Sequence, residues 1–312
     1  MRIVFMGTPE FAVAALAALI ADGLEVVAVV TAPDRPAGRG LKMHESAVKQ
    51  YARSQGLPVL QPVRLKDPDF LESLAGYRAD LQVVVAFRML PEKVWDMPPE
   101  GTINLHASLL PQYRGAAPIN RAIMDGASET GVTTFKLQHE IDTGQIIDRQ
   151  VVSIGPHETA GELHDRLMAV GAALLVGSVR KIQNGQVQFT PQPATAGAGE
   201  AFATAPKIFK EDAHIDWTGE VSAVYNQIRG LSPYPGAWTT LNGQLLKIFA
   251  VQKEESVEKT SPGQVYTDHK TFLKIACNKG YIQLKVLQPS GKKKMAIEDF
   301  LRGFRGHQLL VE

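Results

Sequence analysis

A chain of 312 residues is long for one ordinary domain and comfortable for two, and its 45% apolar and 21% charged residues exclude a disordered or collagen-like chain. No apolar run approaches the roughly 20 residues that would span a bilayer. The net charge of +1 hides an asymmetry: residues 1–205 carry net −3 and residues 206–312 net +4, so the C-terminal part is mildly basic and compatible with a nucleic-acid partner. One cysteine, Cys277, excludes an internal disulfide. The start, Met1 to Gly7, reads as a buried strand and not as an export signal, so a cytoplasmic setting is expected.

The first half alternates strand and helix patterns. Arg2 to Met6 is a short apolar run, Phe11 to Asp22 has helical composition stopped by Gly23, and Glu25 to Thr31 is a second buried strand. Ser46 to Gln55 reads as a helix capped by Ser46. Leu81 to Phe87 and Thr102 to His106 are further strands, with a helix over Ala117 to Asp125. Val132 to Leu137 and Ile146 to Ile154 are two more strands joined by a loop, and Ala160 to Gln183 is one long helix. Buried strands alternating with helices predict a mostly parallel sheet covered on both faces, with its site beyond the carboxyl ends of the strands.

Thr190 to Ala205 has little to bury and reads as an extended linker. The expected division is therefore a first domain over 1–189, a linker over 190–205 and a second domain over 206–312. In the latter, Val221 to Leu231 reads as a helix. Strand-like segments follow at Ala237 to Leu241, Leu245 to Val251, Gly263 to Tyr266, Phe272 to Ala276 and Tyr281 to Leu287. Asn242-Gly243 is a hairpin signal, and short strands at this spacing suggest a small, OB-like β-barrel. The eight histidines are scattered and there is no Cys-x-x-Cys, so no metal site is expected.

The segment with chemistry in it runs Asn104-Leu105-His106-Ala107-Ser108-Leu109-Leu110-Pro111-Gln112-Tyr113-Arg114-Gly115. Asn104 and His106 stand two apart on a strand and so share a face. An amide donor beside a titratable imidazole suits acyl transfer, one group donating to a developing oxyanion and the other moving protons. Taken alone, the spacing also suits two polar residues that merely close a strand. Glu140-Ile141-Asp142-Thr143-Gly144-Gln145 supplies a carboxylate, although Asp142 beside Thr-Gly would equally form a turn.

Together these segments, Asn-x-His-x-Ser-Leu-Leu-Pro-x-x-Arg-Gly and the later Asp-Thr-Gly, resemble the signature of the 10-formyltetrahydrofolate-dependent formyltransferases. The resemblance implies an α/β fold with a Rossmann-like, mostly parallel sheet that holds no nucleotide cofactor. It implies 10-formyltetrahydrofolate as cosubstrate without a metal, and Asn104, His106 and Asp142 as the catalytic triad. Ser108, Leu109, Leu110 and Pro111 would contact the folate. Thr31-Ala32-Pro33-Asp34-Arg35-Pro36-Ala37-Gly38-Arg39-Gly40, with Gly7 to Ala12 and Gly115 to Ile119, is similar to members of the family that formylate initiator methionyl-tRNA. That likeness implies a tRNA partner met by Arg39, with Arg35 and Lys42 beside it; separately, a monomer that meets no membrane is expected. Gly291-Lys292-Lys293-Lys294 reads as a second phosphate contact or as a solvated turn; the family context favours the contact.

Two departures stand out. Ala86-Phe87-Arg88-Met89-Leu90-Pro91 replaces the Ala-Tyr-Gly before Leu-Pro that is common in the family, and Ala47 stands where Pro is usual. A sugar-nucleotide or other small-amine acceptor, and hydrolysis of the formyl folate, remain as alternative activities.

Overall fold

The structure is a computed structural model that describes residues 1–37, 42–194, 201–303 and 311. In chain order its first strands are β1 (Arg2–Gly7), β2 (Glu25–Val30), β3 (Arg35–Ala37), β4 (Lys42–His44), β5 (Val59–Leu60), β6 (Leu81–Val85), β7 (Thr102–His106), β8 (Arg114–Gly115), β9 (Glu129–Lys136) and β10 (Ile146–Ser153). The helices among them are α1 (Glu10–Ala21), α2 (Ala47–Ser54), α3 (Pro68–Gly76), α4 (Glu92–Trp95), α5 (Pro118–Met124) and α6 (Ala160–Gln183). Then follow β11 (Thr204–Ala205), α7 (Val221–Gly230), β12 (Ala237–Leu241), β13 (Gln244–Glu255), β14 (Val265–Thr267), β15 (Leu273–Cys277), β16 (Gly280–Pro289), β17 (Met295–Ala296) and α8 (Ile297–Gly303).

Seven strands form one sheet in the order β10-β9-β7-β6-β1-β2-β5. β1 pairs in parallel with both β2 and β6, and β6 in parallel with β7, whereas β7 meets β9 antiparallel. Central strands of such a sheet are covered on both faces, which is why Ile3, Val4, Phe5 and Met6 are all fully buried. Each such side chain contributes about 1.5–3 kcal/mol relative to leaving it exposed. Along α6, Leu163, Leu167, Gly171, Leu175, Ser178 and Ile182 recur every three or four residues as one buried stripe, widened by Ala172 and Val179. A methyl group on Gly171 would come within 3.0 Å of Leu105. Leu105 thus faces α6, and its neighbours Asn104 and His106 face the other side of the sheet.

Where a small, OB-like β-barrel is expected after residue 206, the described strands form a six-stranded antiparallel sheet, β12-β13-β16-β15-β14 with β17 on β16. Asn242 (φ 50°) and Gly243 (φ 73°) are both left-handed and close β12 onto β13 with Leu241 opposite Gln244, as a two-residue hairpin requires. Val221, Val224, Tyr225 and Ile228 of α7 lie at one-face spacing and join Ile248, Ile282 and Leu284 in the core.

The chain gathers into two compact units whose limits are not contiguous in sequence. One is Met1–Gly115, Gly131–Val152 and His164–Thr204; the other is Ala116–Thr130, Ser153–Leu163 and Ala205–Glu312. The division at 190–205 therefore leaves out two segments that the second unit takes from the first half of the chain. Their attachments explain this: Asn120 donates to the Gly230 carbonyl at 2.7 Å, and Arg229 donates to the carbonyls of Glu158 (3.0 Å) and Gly155 (3.3 Å). In the arginine-bearing segment that the resemblance singles out, β3 pairs antiparallel with β4, with Arg35 opposite His44. No helix among the described residues is long and apolar enough to cross a membrane.

Ser46 caps α2 as its sequence suggests, its Oγ accepting from the Lys49 amide at 3.1 Å and sharing a 2.8 Å hydrogen bond with Thr31. Ser46→Ala should lower the unfolding free energy by about 1 kcal/mol in urea titration, with activity intact. Cys277 is fully buried, and burial pushes its thiol from 9.0 up to about 12. The unfolded chain therefore ionises this thiol first as pH rises. Stability should be unaffected by Cys277 below about pH 9 and fall above it, by at most about 1.4 kcal/mol per pH unit, up to about pH 12. A Cys277→Ala comparison across that range isolates the slope.

Candidate active site

β7 delivers Asn104 and His106 to one face. The Asn104 carboxamide is half-buried and makes no hydrogen bond among the described residues. The His106 imidazole is buried, only 8% exposed, and its Nε2 lies 2.9 Å from the Tyr113 carbonyl oxygen. A carbonyl oxygen can only accept, so Nε2 carries the proton. Nδ1 lies 3.9 Å from Asp142 Oδ2, close enough for charge attraction and too far for a hydrogen bond. Nδ1 is accordingly the nitrogen left open to a bound molecule.

The two groups that flank the imidazole sit on unusual backbone. Tyr113 (φ 58°) and Asp142 (φ 54°) are both left-handed, a conformation uncommon for side-chain-bearing residues and best tolerated by Asp, Asn and Gly. The Tyr113 amide donates to the Ala203 carbonyl at 2.6 Å, and the Ala203 amide donates to Gln112 Oε1 at 2.8 Å. Asp142 Oδ2 accepts from the Gly115 amide at 2.9 Å. The Gln192 amide nitrogen donates to the carbonyls of Asp142 and Gly144, both at 2.8 Å, and its oxygen accepts from Arg114 Nη2 at 2.6 Å and Nε at 3.1 Å. Thr190 exchanges two 2.8 Å backbone hydrogen bonds with Ile146. The stretch expected to be a bare linker thus ties down both sides of His106. Nothing in its composition signals this, because a backbone amide has no sequence signature and Gln192 is a single polar residue between prolines.

The Ser108 to Pro111 segment is held closely. Ser108 Oγ donates to the Gln112 carbonyl at 2.6 Å, while Thr133 Oγ1 donates to the Ser108 carbonyl (2.7 Å) and accepts from the Leu110 amide (3.1 Å). Leu110 is fully buried with Phe135 and Ile146, and the Leu110–Pro111 peptide is cis. Leu109 alone of the four has a half-buried side chain; Ser108, Leu110 and Pro111 are buried. In the departing segment, Phe87 and Leu90 pack against a hydrophobic cluster that includes Val84 and Val94. Arg88 donates to the carbonyls of Val63, at 2.9 Å, and Pro62, with its guanidinium 5.6 Å from the centre of the Phe87 ring. Partial burial lowers the Arg88 pKa, and nearby Arg35 adds to the effect.

Of the residues expected to meet a polyanion, Arg35 is exposed on β3. The hairpin it belongs to is rooted by Asp34, which Lys49 Nζ (2.5 Å) and Gln61 Nε2 (2.8 Å) hold; the Lys49 hydrogen bond keeps its carboxyl below the usual range. Lys42 lies on β4, and Arg39 falls outside the described residues. In the second unit Lys292, Lys293 and Lys294 are exposed on the turn between β16 and β17, with Lys294 Nζ 3.6 Å from the centre of the Phe249 ring.

The chain matches the family model described as formyl transferase over residues 1–179 and that described as formyl transferase, C-terminal domain over 207–305. It is 52% identical over 311 residues to the methionyl-tRNA formyltransferase of Parabacteroides distasonis, covering 98% of this chain and 96% of the relative. It is 51% identical over 309 residues to that of Bacteroides fragilis, covering 97% and 95%. Among solved structures it is similar to HypX from Aquifex aeolicus in complex with tetrahydrofolic acid, with a TM-score of 0.66 at 18% identity. That match covers 99% of this chain and 50% of the other, so the chain spans about half of HypX. WlaRD, a sugar 3N-formyl transferase, is similar with a TM-score of 0.66 at 18% identity, covering 94% and 99%. At that identity these two likenesses concern the fold.

A methyl group at Gly144 would lie 1.7 Å from the Lys136 carbonyl oxygen, so the Asp142 loop has no room for any side chain there. Gly144→Ala should force the main chain to move and destabilise the protein by about 1–3 kcal/mol in urea unfolding.

Proposed function

The chain belongs to the formyl transferase family, and on that premise we propose that it moves the formyl group of 10-formyltetrahydrofolate onto the amino group of methionine on initiator methionyl-tRNA. The observation that supports the chemistry most is the pairing of an unbonded Asn104 amide with a His106 whose Nδ1 is open and faces the Asp142 carboxylate at 3.9 Å. Identity near 50% along the whole chain to methionyl-tRNA formyltransferases supports this acceptor over a sugar or small amine. We read the setting as cytoplasmic, where a free thiol such as Cys277 persists.

In the reaction the methionine nitrogen bonds to the formyl carbon, and the bond from that carbon to the folate nitrogen breaks. Negative charge builds on the formyl oxygen between these events. The Asn104 amide donates to that oxygen, and so does Nδ1 of His106 when it carries a proton; fixed donors of this kind are effective because they need not reorganise. The Asp142 carboxylate, itself held by the Gly115 amide, takes the amine proton through a water. Asp142 then gives that proton up, through the same water, to the departing folate nitrogen, so the carboxylate is regenerated and formylmethionyl-tRNA and tetrahydrofolate are the products. Leu109, the half-buried side chain of its segment, and the backbone around it border the folate. Arg35, Arg39, Lys42 and the Lys292 to Lys294 turn meet the tRNA phosphates.

The purified protein is mixed with 10-formyltetrahydrofolate and either methionyl-initiator-tRNA or uncharged tRNA, and tetrahydrofolate formation is followed. Turnover with the charged tRNA alone is expected; equal release of formate in both would make the protein a hydrolase instead. Asn104→Ala should lower kcat by roughly 10²–10³-fold, and His106→Ala and Asp142→Ala by roughly 10²–10⁴-fold, with unchanged circular dichroism. A variant that turns over at the wild-type rate would remove its residue from the mechanism. Replacing Lys292, Lys293 and Lys294 together by Ala should weaken tRNA binding and flatten its dependence on salt, by about 0.7–0.9 in log–log slope for each phosphate that is no longer neutralised. An unchanged slope would assign that turn to solvent.

A further inference from the structure

We propose that Gln192 is a positioning residue for the Asp142 carboxylate, a role that rests on the reading of Asp142 as part of the site. One side chain makes four hydrogen bonds across two segments. Its nitrogen donates to the carbonyls of Asp142 and Gly144, both at 2.8 Å. Its oxygen accepts from two nitrogens of Arg114, at 2.6 and 3.1 Å, and Arg114 immediately precedes Gly115, whose amide holds the Asp142 carboxylate at 2.9 Å. Gln192 therefore joins the backbone of the Asp142 loop to the strand that carries the carboxylate's own hydrogen-bond donor.

The loop needs such a tie. Asp142 stands in the left-handed region (φ 54°), Ile141 is exposed, and the remaining side-chain hydrogen bond within the loop is that of Thr143 Oγ1 to the Glu140 carbonyl, at 3.1 Å. Two carbonyls, at Asp142 and Gly144, converge on one amide nitrogen, and only a donor group at position 192 satisfies both. Without it they would repel each other and turn to water, carrying the carboxylate away from its 3.9 Å distance to His106 Nδ1. Glutamate is the discriminating replacement, since it keeps the length and the acceptor for Arg114 while losing both N–H bonds.

The test measures single-turnover formyl transfer to methionyl-tRNA by the full chain carrying Gln192→Glu or Gln192→Ala, each in wild-type and Asp142→Ala backgrounds. In the wild-type background both substitutions should lower the rate roughly 10- to 100-fold, with the KM for methionyl-tRNA within about twofold of wild type. In the Asp142→Ala background the same changes should cost less than about threefold, because the group they position is gone. A full and independent loss in that background would make Gln192 a general scaffold residue and overturn the proposal, as would wild-type rates in both single variants. If Asp142→Ala alone left the rate unchanged, the reading of the site would fail first and the proposal with it. Should Gln192→Ala fold poorly, the isosteric Gln192→Glu still decides between these outcomes.

Discussion

The hydrogen bond between His106 Nε2 and the Tyr113 carbonyl sets the character of the whole site. It fixes a proton on one nitrogen and leaves the other, Nδ1, on the side of Asp142, 3.9 Å from its carboxylate. Its cost is visible in the backbone: Tyr113 is left-handed, and its amide is secured by Ala203. The imidazole is thus positioned by main chain on one side and by a carboxylate on the other. Tyr113 and Asp142 already have the partners that hold them, so little reorganisation of the imidazole's surroundings is left for the reaction step.

The sheet explains why this assembly forms at β7. β7 is the strand where parallel pairing with β6 gives way to antiparallel pairing with β9. Its carboxyl end is followed directly by the loop that holds Ser108, Tyr113 and Gly115. β9 runs the other way and leaves opposite Ile103, so the chain after Lys136 has to double back to bring Asp142 to His106. Such a return needs tight turns and a residue without a side chain where the loop passes its own strand, and these needs are met by Asp142 and Gly144. Loop geometry, more than any single side chain, creates the His–Asp approach.

Much of the frame was legible because it rests on short-range rules. The bounds of β7 and α6, the Ser46 cap and the Asn242-Gly243 hairpin follow from periodicity, side-chain capping and turn chemistry, all of which act within a few residues. Asn104, His106 and Asp142 were legible as a set through their resemblance to a known signature, and the structure brings His106 and Asp142 within 3.9 Å. What escaped was long-range and backbone-borne. Tyr113 acts through a carbonyl, Gly115 through an amide, and Gln192 reaches a loop fifty residues away. The second unit's use of residues 116–130 and 153–163 was likewise hidden, since Arg229 and Asn120 reach their partners only once the chain has folded. Helix α3 and the hairpin of β3 and β4 were not foreseen either. The hairpin lies in a stretch rich in Gly and Pro, residues depleted in strands.

The claim on which this account stands is that His106 works through Nδ1 because Tyr113 holds a proton on Nε2. Nitrogen-15 shifts of the eight histidines, with His106 identified by its loss in a His106→Asn protein, report that proton directly. The account requires Nε2 of His106 to be protonated throughout, with the Nδ1 shift moving when Asp142 is replaced by Asn. A neutral imidazole protonated at Nδ1, with a bare Nε2 toward the Tyr113 carbonyl, would contradict it.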